Sequence, residues 1–115
     1  MPNSLYSQCI EACYECAAAC KKCASACLQE EHVHHMVACI QTDLECETIC
    51  KATAELLCLN SKNVSDICTL CAEICRACAA ECSRHKEEHC RKCAEACLKC
   101  ADLCSKIVQG SAGIF

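Results

Sequence analysis

The sequence predicts an all-α chain folded as an up-down-up-down antiparallel four-helix bundle with a cysteine-lined core. Three observations carry the prediction. Twenty of the 115 residues are cysteine, and most recur in alternating steps of three and four, the a/d repeat that marks one face of a helix. Helix breakers and sheet formers are scarce: two Gly, one Pro, no Trp and 3% aromatic residues, against plentiful Ala, Glu, Lys and Leu, which favour helix. The gaps between the repeating segments are short, which makes consecutive helices antiparallel neighbours.

The first helix is expected over residues 5–30, with Asn3 or Ser4 as its N-cap; its stripe is Cys9, Cys13, Cys16, Cys20, Cys23 and Cys27. The second, over 33–57, carries a degenerate stripe of Met36, Cys39, Asp43, Cys46, Cys50, Thr53 and Leu57, with Cys58 displaced to its flank. The third, over 65–84 with Ser65 as N-cap, carries Cys68, Cys71, Cys75, Cys78 and Cys82. The fourth, over 86–108, carries Cys90, Cys93, Cys97, Cys100 and Cys104; Gly110 is expected to end it, leaving a short flexible tail over 109–115. The whole chain reads as one domain, and its halves look like a duplicated helical hairpin. The topology brings the first and third turns to one end of the bundle. His32, His34, His35, His85 and His89 should therefore gather there with Met36. The stripe at the opposite end ends in Tyr6, Leu57, Val64 and Ile107, an apolar plug.

Composition narrows the function. Leu, Ile, Val and Phe make up only 21 of 115 residues, a level that suggests disorder in most chains. Here the net charge is only −4, and free cysteine packs as a small hydrophobe, so the thiols themselves complete the core. Abundant cysteine usually announces a secreted disulfide scaffold. The regular spacing and the lack of Gly and Pro argue otherwise. So does geometry: Cβ atoms at i,i+3 and i,i+4 stand roughly 5–6 Å apart, whereas a disulfide needs roughly 3.5–4.5 Å. No secretory signal is visible at the N-terminus, which points to the cytoplasm. No stretch is long and apolar enough to span a membrane, and no basic stripe offers itself to nucleic acid.

A stripe of thiols facing a shared interior is a metal-binding arrangement. Six CxxC pairs occur, at Cys13/Cys16, Cys20/Cys23, Cys68/Cys71, Cys75/Cys78, Cys90/Cys93 and Cys97/Cys100. Zn(II) prefers four ligands in a closed tetrahedron, whereas soft Cu(I) is satisfied by two or three thiolates. Thiols one helical turn apart suit a nearly linear S–Cu–S unit. Charge favours the same ion. One Cu(I) per thiolate is neutral, while Zn(II) at four thiolates leaves −2 per site, about five sites and −10 of buried charge in a 20-thiolate interior. Multiple Cu(I) ions per chain, between about 10 and about 20, are therefore expected. The competing readings are a metallothionein-like Zn or Cd buffer and an iron–sulfur or thiol-redox protein. No run has the consecutive steps of three seen in ferredoxins. The CxxxCxxC triplets, such as Cys9, Cys13, Cys16, follow from the heptad itself. No catalytic residues are expected, and the chain is not read as an enzyme. His and Met36 at a bundle mouth would pass Cu(I) inward by ligand exchange. Asp43 on the thiol stripe is costly to bury unless paired or metal-bound. It is read as an acceptor or occasional ligand at the mouth, against a hydrogen bond to a histidine or rotation to the flank.

Over roughly residues 5–106 the chain resembles the cytosolic branch of the bacterial copper storage proteins. The likeness rests on Cys9, Ile10, Glu11, Ala12 and Cys13; on His34 and His35 with Cys39 and Ile40; on Asp43, Leu44, Glu45 and Cys46; on Ile67, Cys68, Thr69, Leu70, Cys71 and Ala72; and on His85, His89 and Cys90. The resemblance implies a Cu(I) store, a homotetramer of bundles, inward-facing thiolates and a His-rich opening; the partners expected are copper ions and a copper donor or acceptor protein that the sequence does not identify. The ligand set it implies is all twenty cysteines, Cys58 included, with His34, His35, His85, His89 and Asp43.

Overall fold

The computed structural model describes residues 2–112, with side chains over 5–110. Four helices form: α1 (Pro2–Leu28), α2 (Val37–Cys58), α3 (Val64–Cys82) and α4 (Glu88–Ala112), with one 3-10 turn (Val33–Met36) leading into α2. Each helix packs on two neighbours, α1 and α3 both lying against α2 and α4. The bundle is long and narrow, its Cα atoms spanning 51 × 20 × 19 Å.

The predicted helices are all present, and several of their ends differ. α1 begins at Pro2, so Asn3 and Ser4 lie inside the helix and do not cap it; proline is tolerated in a first turn, where its missing N–H would have no helical partner. α3 begins at Val64 after Asn63, one residue before the expected cap Ser65, and Asn63 makes no side-chain cap bond. α4 continues through Gly110 to Ala112, so glycine does not end it. The rest of the expected tail, 113–115, lies outside the described residues. The first connection is longer than expected because residues 33–36 wind as a 3-10 turn. Beyond the end of α2, Asn60 takes the left-handed conformation (φ 51°). There Ser61 N–H donates to Leu56 C=O and Asn60 N–H to Leu57 C=O, a Schellman closure for which asparagine is one of the few suitable side chains.

Cysteines fill the a/d positions and alanines flank them. Ala12, Ala17, Ala24, Ala54, Ala72, Ala79, Ala94 and Ala101 are all buried. Small flanking residues let the helix axes approach, which confines the core to a narrow column of sulfur. The surface ties the helices together lightly: Glu47 accepts Lys21 at 3.1 Å and Lys51 at 2.8 Å, bridging α1 and α2, and Arg76 on α3 donates to Ser105 on α4 at 2.7 Å. Free thiols pack as small hydrophobes, so this core can form from the protein alone. Circular dichroism of the reduced, metal-free protein should accordingly show a helical spectrum; a random-coil spectrum would contradict this account of the core.

Candidate metal centre

All twenty cysteines are free thiols and nineteen are buried. Cys58, at the C-terminal end of α2, is exposed. Its side chain projects outward because it sits one residue beyond the stripe position held by buried Leu57, so it stands apart from the buried column.

The buried sulfurs form a continuous ladder. Across helices, Cys9–Cys104, Cys13–Cys100, Cys46–Cys75 and Cys50–Cys75 stand 3.6 Å apart. Cys16–Cys97, Cys39–Cys82 and Cys20–Cys93 stand at 3.7 Å. Within helices, Cys23/Cys27, Cys46/Cys50, Cys71/Cys75, Cys78/Cys82 and Cys93/Cys97 approach to 3.9–4.0 Å. All five are i,i+4 pairs. The sequence holds six CxxC and eight CxxxC pairs, and it is CxxxC pairs and cross-helix pairs that make these contacts. Side chains lean along the helix, and i,i+4 rows lie more nearly one above the other.

Sets of four sulfurs lie within 4.8 Å of one another, among them Cys13/Cys71/Cys100/Cys104, Cys16/Cys46/Cys50/Cys75, Cys16/Cys20/Cys46/Cys97, Cys20/Cys78/Cys93/Cys97 and Cys23/Cys27/Cys39/Cys90. Each set alone could close a tetrahedron, whose sulfur–sulfur edge is about 3.8 Å for Zn–S bonds of about 2.3 Å. The sets overlap, however. Cys16, Cys20, Cys46 and Cys97 each belong to two of them, so the column favours ions that accept few ligands and share them.

Electrostatics sharpens this. All eleven Lys and Arg side chains are exposed, so no fixed cation reaches the column. Burial pushes the Cys27 and Cys90 thiols above their ordinary range, because an unpaired thiolate is poorly solvated there. Asp43 is fully buried. Its Oδ1 accepts thiols from Cys78 at 3.3 Å, Cys93 at 3.3 Å and Cys82 at 3.6 Å, and its Oδ2 accepts Cys39 at 3.9 Å. Burial, followed by the nearby Cys93 sulfur, pushes this carboxyl up to about 12. It is a neutral acid at physiological pH. The alternatives of a partner histidine or a turn to the flank do not hold: Asp43 sits inside the column and is an acceptor of thiols.

The histidines occupy one end, as expected from topology. A cavity of about 430 Å³ there is lined by His32, His35, Met36 and His85, with Glu30, Glu31, Arg84, Lys86 and Glu87. His34 lies tilted against His35, ring centres 4.1 Å apart and planes at 56°. His85 Nε2 lies 2.9 Å from Glu81 Oε2. His89 reaches deepest: its Nδ1 lies 3.5 Å from Cys90 Sγ and 3.6 Å from Cys23 Sγ, while its Nε2 lies 3.1 Å from Glu30 Oε2. Burial works against charge on this ring, but the contacts with Cys23 and Glu30 outweigh it and raise its basicity. Hydrogen bonds from Cys39 and Cys82 draw Cys23 below the ordinary thiol range. The far end is closed by buried Leu57, Val64 and Ile107, with Tyr6 packed beside them, and by Thr53, whose hydroxyl turns back to Ile49 C=O at 2.7 Å.

Sequence reasoning missed Glu30 and Glu81. Glu81 carried a readable signal, its i,i+4 spacing to His85; Glu30 is 59 positions from His89 and carried none.

Comparison with known proteins agrees with this geometry. A cytosolic copper storage protein from Streptomyces lividans, solved during copper loading with five coppers, superimposes with a TM-score of 0.91 at 39% identity, covering 94% of this chain and 95% of that one. The Cu(I)-bound copper storage protein BsCsp3 gives 0.85 at 43% identity over 90% and 98% of the two chains. The uncharacterized cysteine-rich protein YhjQ of Bacillus subtilis is 45% identical over 69 residues, 59% of this chain and 64% of that relative's length. The family model for copper storage proteins matches residues 2–109; the chain belongs to the copper storage protein family.

Proposed function

We propose that this protein is a non-catalytic cytoplasmic store for Cu(I), holding many ions on the thiolates of its column and exchanging them at the histidine end. The observation that carries the reading is the combination of nineteen buried thiols with no buried cation. Each arriving ion must displace a proton from sulfur, and only a monovalent soft ion leaves the filled column near neutrality. The storage ligands are the nineteen buried cysteines. Asp43 serves the same column as a neutral hydrogen-bond acceptor that can become a ligand once a cation lies beside it. His32, His34, His35, His85 and Met36 serve as transient ligands at the mouth, and His89 hands ions to Cys23 and Cys90. Exposed Cys58 stands apart from storage. Assembly into a homotetramer of bundles belongs to the same reading; it is supported by the apolar groove between α2 and α3, where Leu44, Ile49 and Ile74 meet solvent.

Taken singly, the four-sulfur sets also fit a Zn(II) buffer, and competition separates the two. Given Cu(I) and Zn(II) at equal concentration under anaerobic conditions, the reduced protein should emerge with copper alone by native mass spectrometry. Retained zinc at several ions per chain would favour the buffer.

A further inference from the structure

Two glutamates meet two histidines at the mouth in the same sense. Glu81 takes His85 and Glu30 takes His89, in both cases through Nε2. A carboxylate only accepts, so the nitrogen facing it carries the proton and the other nitrogen keeps its lone pair when the ring is neutral. For His89 that second nitrogen is Nδ1, the atom turned to Cys23 and Cys90.

Glu30 is built into the place it needs for this. It follows α1, its N–H bonded to Cys27 C=O at 3.2 Å, and its side chain crosses to the first turn of α4. It also lines the mouth cavity. One residue thus joins the cavity where ions arrive to the ring that touches the first thiols. Among the described residues Glu30 is the acceptor that meets Nε2, and its bond is what favours Nε2–H over Nδ1–H. A proton on Nδ1 would block the nitrogen that faces sulfur.

We propose that Glu30 is a positioning residue for copper transfer: it holds His89 by Nε2, so that Nδ1 is the atom that receives Cu(I) from the mouth and passes it to Cys23 and Cys90. Glu81 sets His85 the same way one step earlier. The proposal rests on the storage reading and concerns the order of ligand exchange, not the capacity. No covalent or redox change is involved; Cu(I) exchanges a nitrogen for a thiolate whose proton leaves to solvent.

The test uses the full chain in two variants, Glu30→Ala and Glu30→Gln, at a helix end where neither substitution disturbs the core. Imidazole 15N NMR of the reduced, metal-free protein, at a pH where the His89 ring is neutral, reads the tautomer directly. Wild type and Glu30→Gln, whose amide oxygen still accepts from Nε2–H, should both show the Nε2–H form; Glu30→Ala should show a mixture. In stopped-flow uptake of Cu(I), Glu30→Ala should slow the first phase about tenfold, in line with the loss of other partners behind metal-binding histidines, and Glu30→Gln should restore it. An unchanged tautomer or an unchanged rate in Glu30→Ala overturns the proposal. So does a Glu30→Gln protein as slow as Glu30→Ala, which would make charge and not the hydrogen bond the cause. A chain that takes up four or fewer ions in every form would instead overturn the storage reading.

Discussion

Anaerobic titration of the reduced protein with Cu(I), followed by mass spectrometry, should run past four ions per chain and level off between about 10 and about 20. The lower figure corresponds to two unshared thiolates per ion, the upper to thiolates that all bridge. The expectation follows from geometry and charge together. Sulfurs 3.6–4.0 Å apart run the length of the column, so an ion at one level shares ligands with the next. Where every thiolate is shared at one ion per sulfur, each ion replaces one proton and leaves no net charge behind, so filling toward the upper figure meets no growing repulsion. Metal held more tightly by the preformed column than by the unfolded chain stabilises the fold, so the melting temperature should climb during the titration. Saturation at four or fewer ions would sink the storage reading.

Replacing Asp43 by Asn should stabilise the reduced, metal-free protein at pH 7 by up to about 4 kcal/mol. The carboxyl is held protonated in the folded chain, up to about 12, and ionises near 3.8 when exposed. Above pH 4 the folded state therefore holds a proton that the unfolded state has shed, and stability falls as pH rises. The slope is about 1.4 kcal/mol per pH unit. Its window runs from about pH 4 to about 12. The three units up to neutrality give the figure above. Asparagine offers the same oxygen to Cys78, Cys82 and Cys93 and has no proton to retain. Thermal unfolding between pH 5 and 7.5 should show wild type losing stability relative to the variant as pH rises, the two converging near pH 4. Parallel curves would mean that the carboxyl is ionised in the folded protein.

The bundle and its sulfur stripe are legible in the sequence because spacing reports which face points inward. Helical periodicity survives the unusual choice of cysteine, and the turns at 29–36 and 83–87 bring the histidines together by topology alone. The missed features depend on local geometry or long-range contact. CxxC and CxxxC look equally close on paper, and only side-chain lean makes the i,i+4 sulfurs approach. Asp43 reads as an anomaly at the mouth, but its oxygens find sulfur donors from α3 and α4 that no spacing within α2 reveals. The exposure of Cys58 follows from the stripe position taken by Leu57. Gly110 reads as a stop, yet nothing lies within 4 Å of where its side chain would be, and the helix passes through.

The apolar closure at Leu57, Val64 and Ile107 gives the column a direction. A narrow column reached from one end should fill and empty through that end: the ion taken up last is expected to be the first to leave, with the earliest arrivals, lodged against the plug, as the long-term reserve.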